Sequence, residues 1–406
     1  MYQKRAIEEI VKRIKNQFPI FLLTGQRQVG KTTLLKEIFG NEYHYITMDD
    51  MIIRNEIIRD TTLFLKNNPE NLILDEIQYV PEIFSYLKME VDKNNKEGQY
   101  LMTGSQVFSL MKGVSESLAG RVGILELQGV SLRERYKISF NKPFIPNNEY
   151  IKERERHLID YKNIWEAIHR GCMPRLVYNK EIDWEVYYSS YIQTYIGRDV
   201  RNLTQVADEN AFIMFLTSLA ARSGELINFN SIAQEIGKSI DTVKRWLSIL
   251  ETSRIIYLLR PYYNNHLKRA IKTAKVYFLD TGLALYLTRW PTADTLKNGA
   301  AAGKYFETFI MGEVIKSFIN GGKVSLPIYY YRDKDGKEID VIIEKGEELY
   351  PIEIKMSASP NANMGKHFKV LKKIKDKKIM PGIILCQYDR KVRLADDLTA
   401  LPVEYI

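Results

Sequence analysis

The chain has 406 residues, 45% hydrophobic and 27% charged, with a formal net charge of +9 and a pI near 9.1. That is the balance of a folded protein with room for two or three domains. It has no apolar run long enough for a bilayer, no secretion signal in the charged opening "MYQKRAIEEIVKRIKNQ", and only Cys172 and Cys386, which form neither a metal spacing nor a disulfide framework.

A cytoplasmic location with no membrane contact is therefore expected. The basic excess favours an anionic partner, nucleic acid before membrane, with plain solubility charge as the alternative.

The first third alternates apolar strand runs with helical patterns. "FPIFLLTG", "YHYITMDD", "NLILDEIQ" and "GQYLMTGS" read as strands, and "ILELQGVSLRERY" as a fifth running into a helix. Strands alternating with helices predict a parallel sheet covered on both faces. The polar stretch "FNKPFIPNNEYIKERERH" reads as a boundary or an exposed excursion. Helical segments follow from Tyr161 to Ala221. "LINFNSIAQEIGKSIDTVKRWLSILETSRIIYLLRPYY" has the spacing of a winged helix-turn-helix, with Asn230 and Ser239 as helix caps and Gly237 as the turn. "IIYLLRPYY" and "AKVYFLD" would form the wing. The last part reads as the helix "KYFETFIMGEVIKSFI", then strands "IYYYRD", "EIDVIIEKG" and "LYPIEIK". A basic helix, "GKHFKVLKKIKDKK", and a last strand, "GIILCQYD", complete it.

"GQRQVGKT", Gly25 to Thr32, matches G-x-x-x-x-G-K-[ST] between an apolar strand and a helix. The binding loop is Gly25, Gln26, Arg27, Gln28, Val29, Gly30, Lys31, Thr32 and Thr33. Its backbone N–H groups and the helix N-terminus favour phosphates. Lys31 would reach the β- and γ-phosphates of ATP and Thr32 would ligate Mg²⁺. Asp75 ends the apolar run "LILDEIQ" where open α/β sheets bind ligands, and would join the Mg²⁺ shell. Glu76 would be the general base for the attacking water. Ser105 or Gln106 would sense the γ-phosphate or orient water, a tight polar turn being the alternative. Asp49 and Asp50 fit a helix cap better than a metal. Arg121 is the first candidate for an arginine against the transition-state charge, and Arg198 the second; a surface or interface ion pair is the other reading of Arg121.

"GQRQVGKTTLL", "LILDEIQ", "LMTGSQ", "LAGRVGILEL…SLRE", "GCMPRLV", "YIQTYIGRDVRNL", "KVYFLDTGLALYL", "GKYFETFIMGEVIK" and "KEIDVIIEKGEELYPIEIKMS" together resemble the AAA-type ATPases that carry a C-terminal domain of unknown function 4143. The resemblance covers nearly the whole chain. It implies an α/β protein with a P-loop AAA+-like parallel sheet core, a helical and winged-helix region, and a restriction-endonuclease-like α/β domain at the C-terminus. The expected spans are 1–140 for the core, 141–225 for the helical lid region, 226–290 for the winged helix and 300–406 for the last domain. The resemblance also favours a homo-oligomer. "LELQGVSLRE" departs from it, since similar proteins usually carry a proline-containing turn there.

In the helix-turn-helix, Lys238, Thr242, Lys244 and Arg245 would meet phosphates or base edges of DNA, while Val243, Trp246, Leu247 and Leu250 pack inward. A rigid lid or a protein contact is the alternative. In the last domain the strand period of two puts Glu353 and Lys355 on one face, with Asp340 on the neighbouring strand. By resemblance, Glu307, Asp340, Glu353 and Lys355 match a nuclease constellation; an edge hairpin with paired charges is the plainer reading. Lys369, Lys372, Lys373 and Lys375 would track a nucleic-acid backbone. The expected function is ATP hydrolysis by an AAA+-type protein acting on nucleic acid. An ATP-regulated, Mg²⁺-dependent nuclease and a nucleotide-driven protein switch are the alternatives.

Overall fold

The computed structural model describes residues 2–69, 71–94, 96–104, 114, 117–161, 163–195, 208–263 and 273–406. Helix α1 (Glu8–Lys15) leads into β1 (Ile20–Thr24), and the P-loop then opens α2 (Lys31–Phe39). β2 (His44–Thr47), α3 (Met51–Arg59), β3 (Leu72–Asp75), α4 (Ile83–Asn94), β4 (Tyr100–Thr103) and β5 (Val122–Glu126) follow. The five strands form one parallel sheet in the order β2-β3-β4-β1-β5. β1, β3 and β4 are buried along their whole length, which is why they read as unbroken apolar runs. Their side chains divide with a period of two. Ile20, Leu22, Leu72, Leu74 and Met102 pack one face, and Phe21, Leu23, Ile73 and Leu101 the other.

The second of these cores does not stop at the sheet. It runs on through the helical middle region to Ile406. The stretch after β5 is the joint. The N–H of Leu132 donates to Glu313 at 2.7 Å, Arg133 donates to the Ile406 carbonyl at 3.1 Å, and the Tyr150 hydroxyl to the Tyr405 carbonyl at 2.8 Å. The polar run around Pro143 is therefore no exposed excursion. Phe140, Phe144, Tyr150 and Arg154 are buried within it, because its aromatic residues supply the contact that its Pro and Asn content hides.

In the middle of the chain, α5 (Trp184–Tyr195) and α6 (Glu209–Ala221) precede a helix-turn-helix of α7 (Phe229–Ile236) and α8 (Ile240–Thr252). α7 is capped by Asn228, whose side chain accepts from the Ser231 N–H, and not by Asn230. Gly237 makes the turn at φ +64°, and Ser239 caps α8. Val243, Trp246, Leu247 and Leu250 are buried. β6 (Ile256–Leu259) and β7 (Lys275–Phe278) pair antiparallel behind them.

The C-terminal part begins with α9 (Ala302–Asn320), almost wholly buried. A mixed sheet follows: β8 (Ile328–Arg332), β9 (Glu338–Lys345), β10 (Glu348–Ile354), β11 (Lys378–Ile379), β12 (Gly382–Cys386), β13 (Val392–Ala395) and β14 (Leu398–Pro402). Its path is β13-β14-β12-β10-β9-β8, with β11 on β10. β12 is thus not the last strand. β13 alternates half-buried and exposed residues and carries charge, so its apolar signal is weak. The basic run is a 3₁₀ segment, Ala362–Lys373, with Phe368, Val370 and Leu371 turned inward.

Candidate nucleotide site and carboxylate cluster

The P-loop needs left-handed backbone, and its glycines supply most of it. Gly25 has φ +138° and Gly30 +95°; Gln28 takes +63° as the one side-chain-bearing residue. A Cβ on Gly25 would stand 2.2 Å from the Leu127 carbonyl oxygen, so the loop lies directly on the end of β5. Arg5 holds it from the other side. Its guanidinium donates to the Val29 carbonyl at 2.9 Å, the Gln128 carbonyl at 2.7 Å and Glu134 at 2.9 Å, all buried. Burial alone would raise the Glu134 pKa; Arg5 overrides it and holds the carboxyl below the usual range. Two loop side chains reach the helical region: Gln26 donates to the Tyr191 hydroxyl at 3.1 Å, and Gln28 accepts from the Tyr187 hydroxyl at 2.8 Å. Both tyrosines lie on α5. Arg27 is half-buried and Thr33 exposed.

Lys31 is buried and its ammonium donates to the Gly25 and Gln26 carbonyls at 3.0 and 2.9 Å. Next to it, the Thr32 hydroxyl donates to Asp75 Oδ1 at 2.8 Å. The Thr103 hydroxyl donates to the same oxygen, and the Tyr45 hydroxyl to Asp75 Oδ2 at 2.8 Å. Asp75 thus draws in β2, β4 and α2 around the end of β3. Glu76 follows in a left-handed conformation, φ +51°, which turns the chain sharply at the strand end, and it accepts from Gln78. Thr32 and Asp75 are hard oxygen donors of the kind Mg²⁺ takes, so these residues fit the ion.

Other candidates fall elsewhere. Arg121 is not brought to the loop of its own chain. Its carbonyl accepts from Ile20 at the start of β1, whereas the P-loop follows the end of that strand, and its guanidinium pairs with Asp92. Asp50 caps α3 by accepting from Ile52, and the Asp49 N–H donates to the Thr47 hydroxyl. Ser105, Gln106 and Arg198 lie outside the described residues. Lys238 is paired with Asp208 at 2.7 Å and the Thr242 hydroxyl lies 2.9 Å from that of Ser239, while Lys244 and Arg245 stand exposed on α8.

The C-terminal carboxylates meet at one place. Val341 stands opposite Ile352, which leaves Asp340 and Glu353 at the next step of β9 and β10. Asp340 accepts from the Ile354 N–H at 2.9 Å, and Lys355 pairs with Glu353 at 2.7 Å and Asp340 at 3.4 Å. Ile352 and Ile354 face the core, as the alternation requires. Glu307 comes in from α9 and accepts from the Tyr277 hydroxyl at 2.6 Å. Lys275 lies 3.8 Å from Glu307 and 2.5 Å from Glu338. Burial, then the Asp340 charge, push Glu307 and Glu353 up to about 7. Burial opposes the Lys275 charge, but Glu307, Asp340 and Glu338 hold its pKa above the usual lysine value. Glu353 Oε2 is buried and has no hydrogen-bond partner. Among the described residues no group of three or more His, Cys, Asp or Glu is placed to hold a metal ion. The cluster does not fit a metal as it stands, because two ammonium groups sit among its carboxylates.

Sequence reasoning missed Arg5, Tyr45 and Thr103 at the loop and Lys275, Tyr277 and Glu338 at the cluster. Tyr45 and Thr103 were legible in principle. Tyr45 is two residues before Thr47, which pairs with Asp75, and Thr103 ends the strand beside it. Arg5 and Lys275 carry no local signal; only long-range packing brings them in.

Three domain families match the chain: an AAA domain over residues 17–136, the domain of unknown function DUF8612 over 161–294, and the domain of unknown function DUF4143 over 302–406. The uncharacterized protein Rv2008c of Mycobacterium tuberculosis is 24% identical over 407 residues, covering 100% of this chain and 85% of its own. The uncharacterized protein MJ1637 of Methanocaldococcus jannaschii is 25% identical over 414 residues, covering 94% and 83%. Among solved structures, the Walker-type ATPase PABY2304 of Pyrococcus abyssi aligns with a TM-score of 0.46 at 15% identity, over 71% of this chain and 96% of that one. The RuvB Holliday junction branch migration motor of Thermotoga maritima aligns at 0.28 and 16%, over 62% and 85%. No helix among the described residues is long and apolar enough to cross a membrane. With an AAA domain on the parallel sheet and the P-loop after β1, the chain carries an AAA-type P-loop domain in its N-terminal part, DUF8612 at its centre and DUF4143 in its C-terminal part.

Proposed function

We propose that the chain binds and hydrolyses ATP at the Gly25–Thr33 loop and couples turnover to work on nucleic acid. The observation that carries the first half is the buried Lys31 ammonium on the Gly25 and Gln26 carbonyls, next in sequence to Thr32, which meets Asp75 at the end of β3. Lys31 leaves the loop carbonyls to meet the β- and γ-phosphates, which also gain the N–H groups at the start of α2. Thr32 and Asp75 would hold Mg²⁺, which supplies charge neutralisation on the phosphates when bound. Glu76 takes the proton of the attacking water, oriented by its bond to Gln78. Gln26 and Gln28 pass the state of the loop to α5 through Tyr191 and Tyr187.

The nucleic-acid half is supported by the helix-turn-helix, the exposed Lys244 and Arg245 on α8, and the net charge of +9. ATP turnover measured with and without duplex and single-stranded DNA tests it. Stimulation that falls steeply as salt rises is expected. Turnover indifferent to nucleic acid, with a protein partner that survives nuclease treatment, would favour a nucleotide-driven protein switch instead.

A second reading, phosphodiester cleavage by the C-terminal domain, is favoured by the convergence of Glu307, Asp340, Glu353 and Lys355. It expects cutting of DNA or RNA that is lost in Asp340→Ala and Lys355→Ala and kept in Lys31→Ala. The exposed lysines of the Ala362–Lys373 segment would then track the strand.

A further inference from the structure

The helical middle region holds a cavity of about 780 Å³ that ATP turnover does not use. That is within the range of about 300–1,000 Å³ that small-molecule sites occupy. Three aromatic side chains line it: Trp184 at the start of α5, Tyr286 in the helix Thr281–Leu287, and Trp290 just beyond that helix. His169 ties the two tryptophans together. Its ring stacks on Trp184 with 4.3 Å between centroids, its carbonyl accepts from the Trp184 indole N–H at 2.9 Å, and its Nε2–H donates to the Trp290 carbonyl at 3.0 Å. Burial lowers the His169 pKa, so this link carries no charge. Tyr286 meets the Trp184 ring in a T-shaped contact at 5.9 Å. A Cβ on Gly299 would stand 2.4 Å from the Trp290 ring, which is therefore packed directly on that backbone. All three rings are fixed in this way and all three remain partly exposed.

Two charged side chains stand at the same cavity without a partner. Glu185 and Arg289 are exposed, and neither forms a hydrogen bond or an ion pair with another described residue. Asp183, the other acid there, is taken up as the cap of α5, accepting from the Val186 N–H at 2.8 Å. Arg289 has φ +59°, in the left-handed position after a helix end where glycine is the usual residue. Its N–H donates to the Tyr286 carbonyl at 3.2 Å and the Trp290 N–H to the Leu285 carbonyl at 3.0 Å, which closes the turn. An arginine kept in so strained a position points to a use for its guanidinium. Along α5, Glu185, Ser189, Ile192 and Gln193 recur at helical spacing and line the cavity. Tyr187 and Tyr191, which bond Gln28 and Gln26 of the P-loop, fall on the opposite side of the same helix. One helix thus has the nucleotide loop on one side and the cavity on the other.

We propose that this cavity takes an unpaired nucleobase of a single-stranded nucleic acid. The base stacks among Trp184, Tyr286 and Trp290, and Arg289 meets a flanking phosphate. Glu185 accepts from an exocyclic amine, which favours cytosine over thymine. A nucleotide uses the aromatic wall, the cation and the acid together. A free amino acid would use the two charges and leave most of the volume empty. This rests on the nucleic-acid half of the proposed function and deepens it: the substrate is an unpaired strand, and its contact is on α5 rather than on α8.

The test is binding of fluorescein-labelled oligo(dC), oligo(dT) and a mixed-sequence duplex to the full chain, read by anisotropy. Arg289→Gly removes the side chain at a φ that glycine takes freely, so it is expected to fold as wild type does and to bind oligo(dC) at least about ten-fold more weakly. Tyr286→Ala is expected to lose affinity by a similar factor, and Glu185→Ala to erase a preference for oligo(dC) over oligo(dT). Equal affinity for oligo(dC) in wild type, Arg289→Gly and Tyr286→Ala, or binding of the duplex alone, would overturn the cavity as the site and leave the nucleic-acid reading standing. Displacement of oligo(dC) by free amino acids would mark a site for zwitterions and overturn it as well. Binding of neither single strand nor duplex would overturn both.

Discussion

The Thr32 hydroxyl donates to Asp75 Oδ1 at 2.8 Å, so the first turn of the P-loop helix and the end of β3 meet at one oxygen. That carboxylate is also held by Tyr45 and Thr103, which fixes its orientation before any ligand arrives. Asp75→Asn keeps the shape and loses the charge. It is expected to retain nucleotide binding but to weaken the Mg²⁺ dependence and cut turnover by about 100-fold or more, the range seen when one electrostatic group of a site is removed. Titration of turnover against Mg²⁺ checks it.

Gly25 is the backbone test of the loop. At φ +138°, with the Leu127 carbonyl 2.2 Å from where a Cβ would stand, alanine cannot be accommodated without moving the end of β5. Gly25→Ala is expected to abolish nucleotide binding and to cost about 1–3 kcal/mol of stability from the backbone alone. Gly336→Ala is the control: it also has positive φ, but nothing lies within 4 Å of its Cβ position, so it is expected to bind nucleotide normally.

Arg5 ties the N-terminal segment to the loop and to Glu134. Removing it leaves the Glu134 carboxylate buried and two carbonyls without a donor. Arg5→Ala is expected to destabilise the protein by roughly 3–5 kcal/mol, read from urea unfolding, because one partner of a buried pair is lost. The double variant Arg5→Met with Glu134→Gln is expected to recover part of that loss, since it removes both charges together.

The carboxylate cluster gives the chain a pH signature. Glu307 and Glu353 are raised from the usual 4.5 to about 7, with burial as the first cause. Between those values the folded chain binds more protons than the unfolded one. Stability from these two groups is therefore highest below about pH 4.5 and falls as pH rises, with the full cost reached above about pH 7. Urea midpoints from pH 5 to 8 are expected to decline, and Glu307→Gln to flatten the decline. A midpoint that rises through this window by the same amount in wild type and Glu307→Gln would contradict the assignment.

Legibility in the sequence followed locality. The P-loop, Asp75 and Glu76 lie within short stretches whose order along a strand and helix is set by neighbours, so their pattern is readable. The burial of Val243 and Trp246 was readable for the same reason, as was the alternation of Ile352, Glu353 and Ile354. Asn228 displaced Asn230 as a cap because two asparagines flank the same helix start and pattern alone does not rank them. The polar run around Pro143 was misread because composition does not reveal that Tyr150 buries against Tyr405, 255 residues on, with Phe144 bonded to Ser317 of α9. Arg121 was chosen by residue type; it precedes the start of β5, beside the start of β1, and so lies at the opposite end of these parallel strands from the loop. Lys275 enters the cluster from another domain, a contact that no local pattern encodes.

The central claim is that Lys31 and Glu76 carry ATP binding and hydrolysis. Radiolabelled ATP bound and turned over by wild type, Lys31→Ala and Glu76→Gln tests it most directly. Lys31→Ala is expected to bind no ATP, and Glu76→Gln to hold ATP while turning over at least about 100-fold more slowly. Wild-type binding and turnover in both variants would contradict the account.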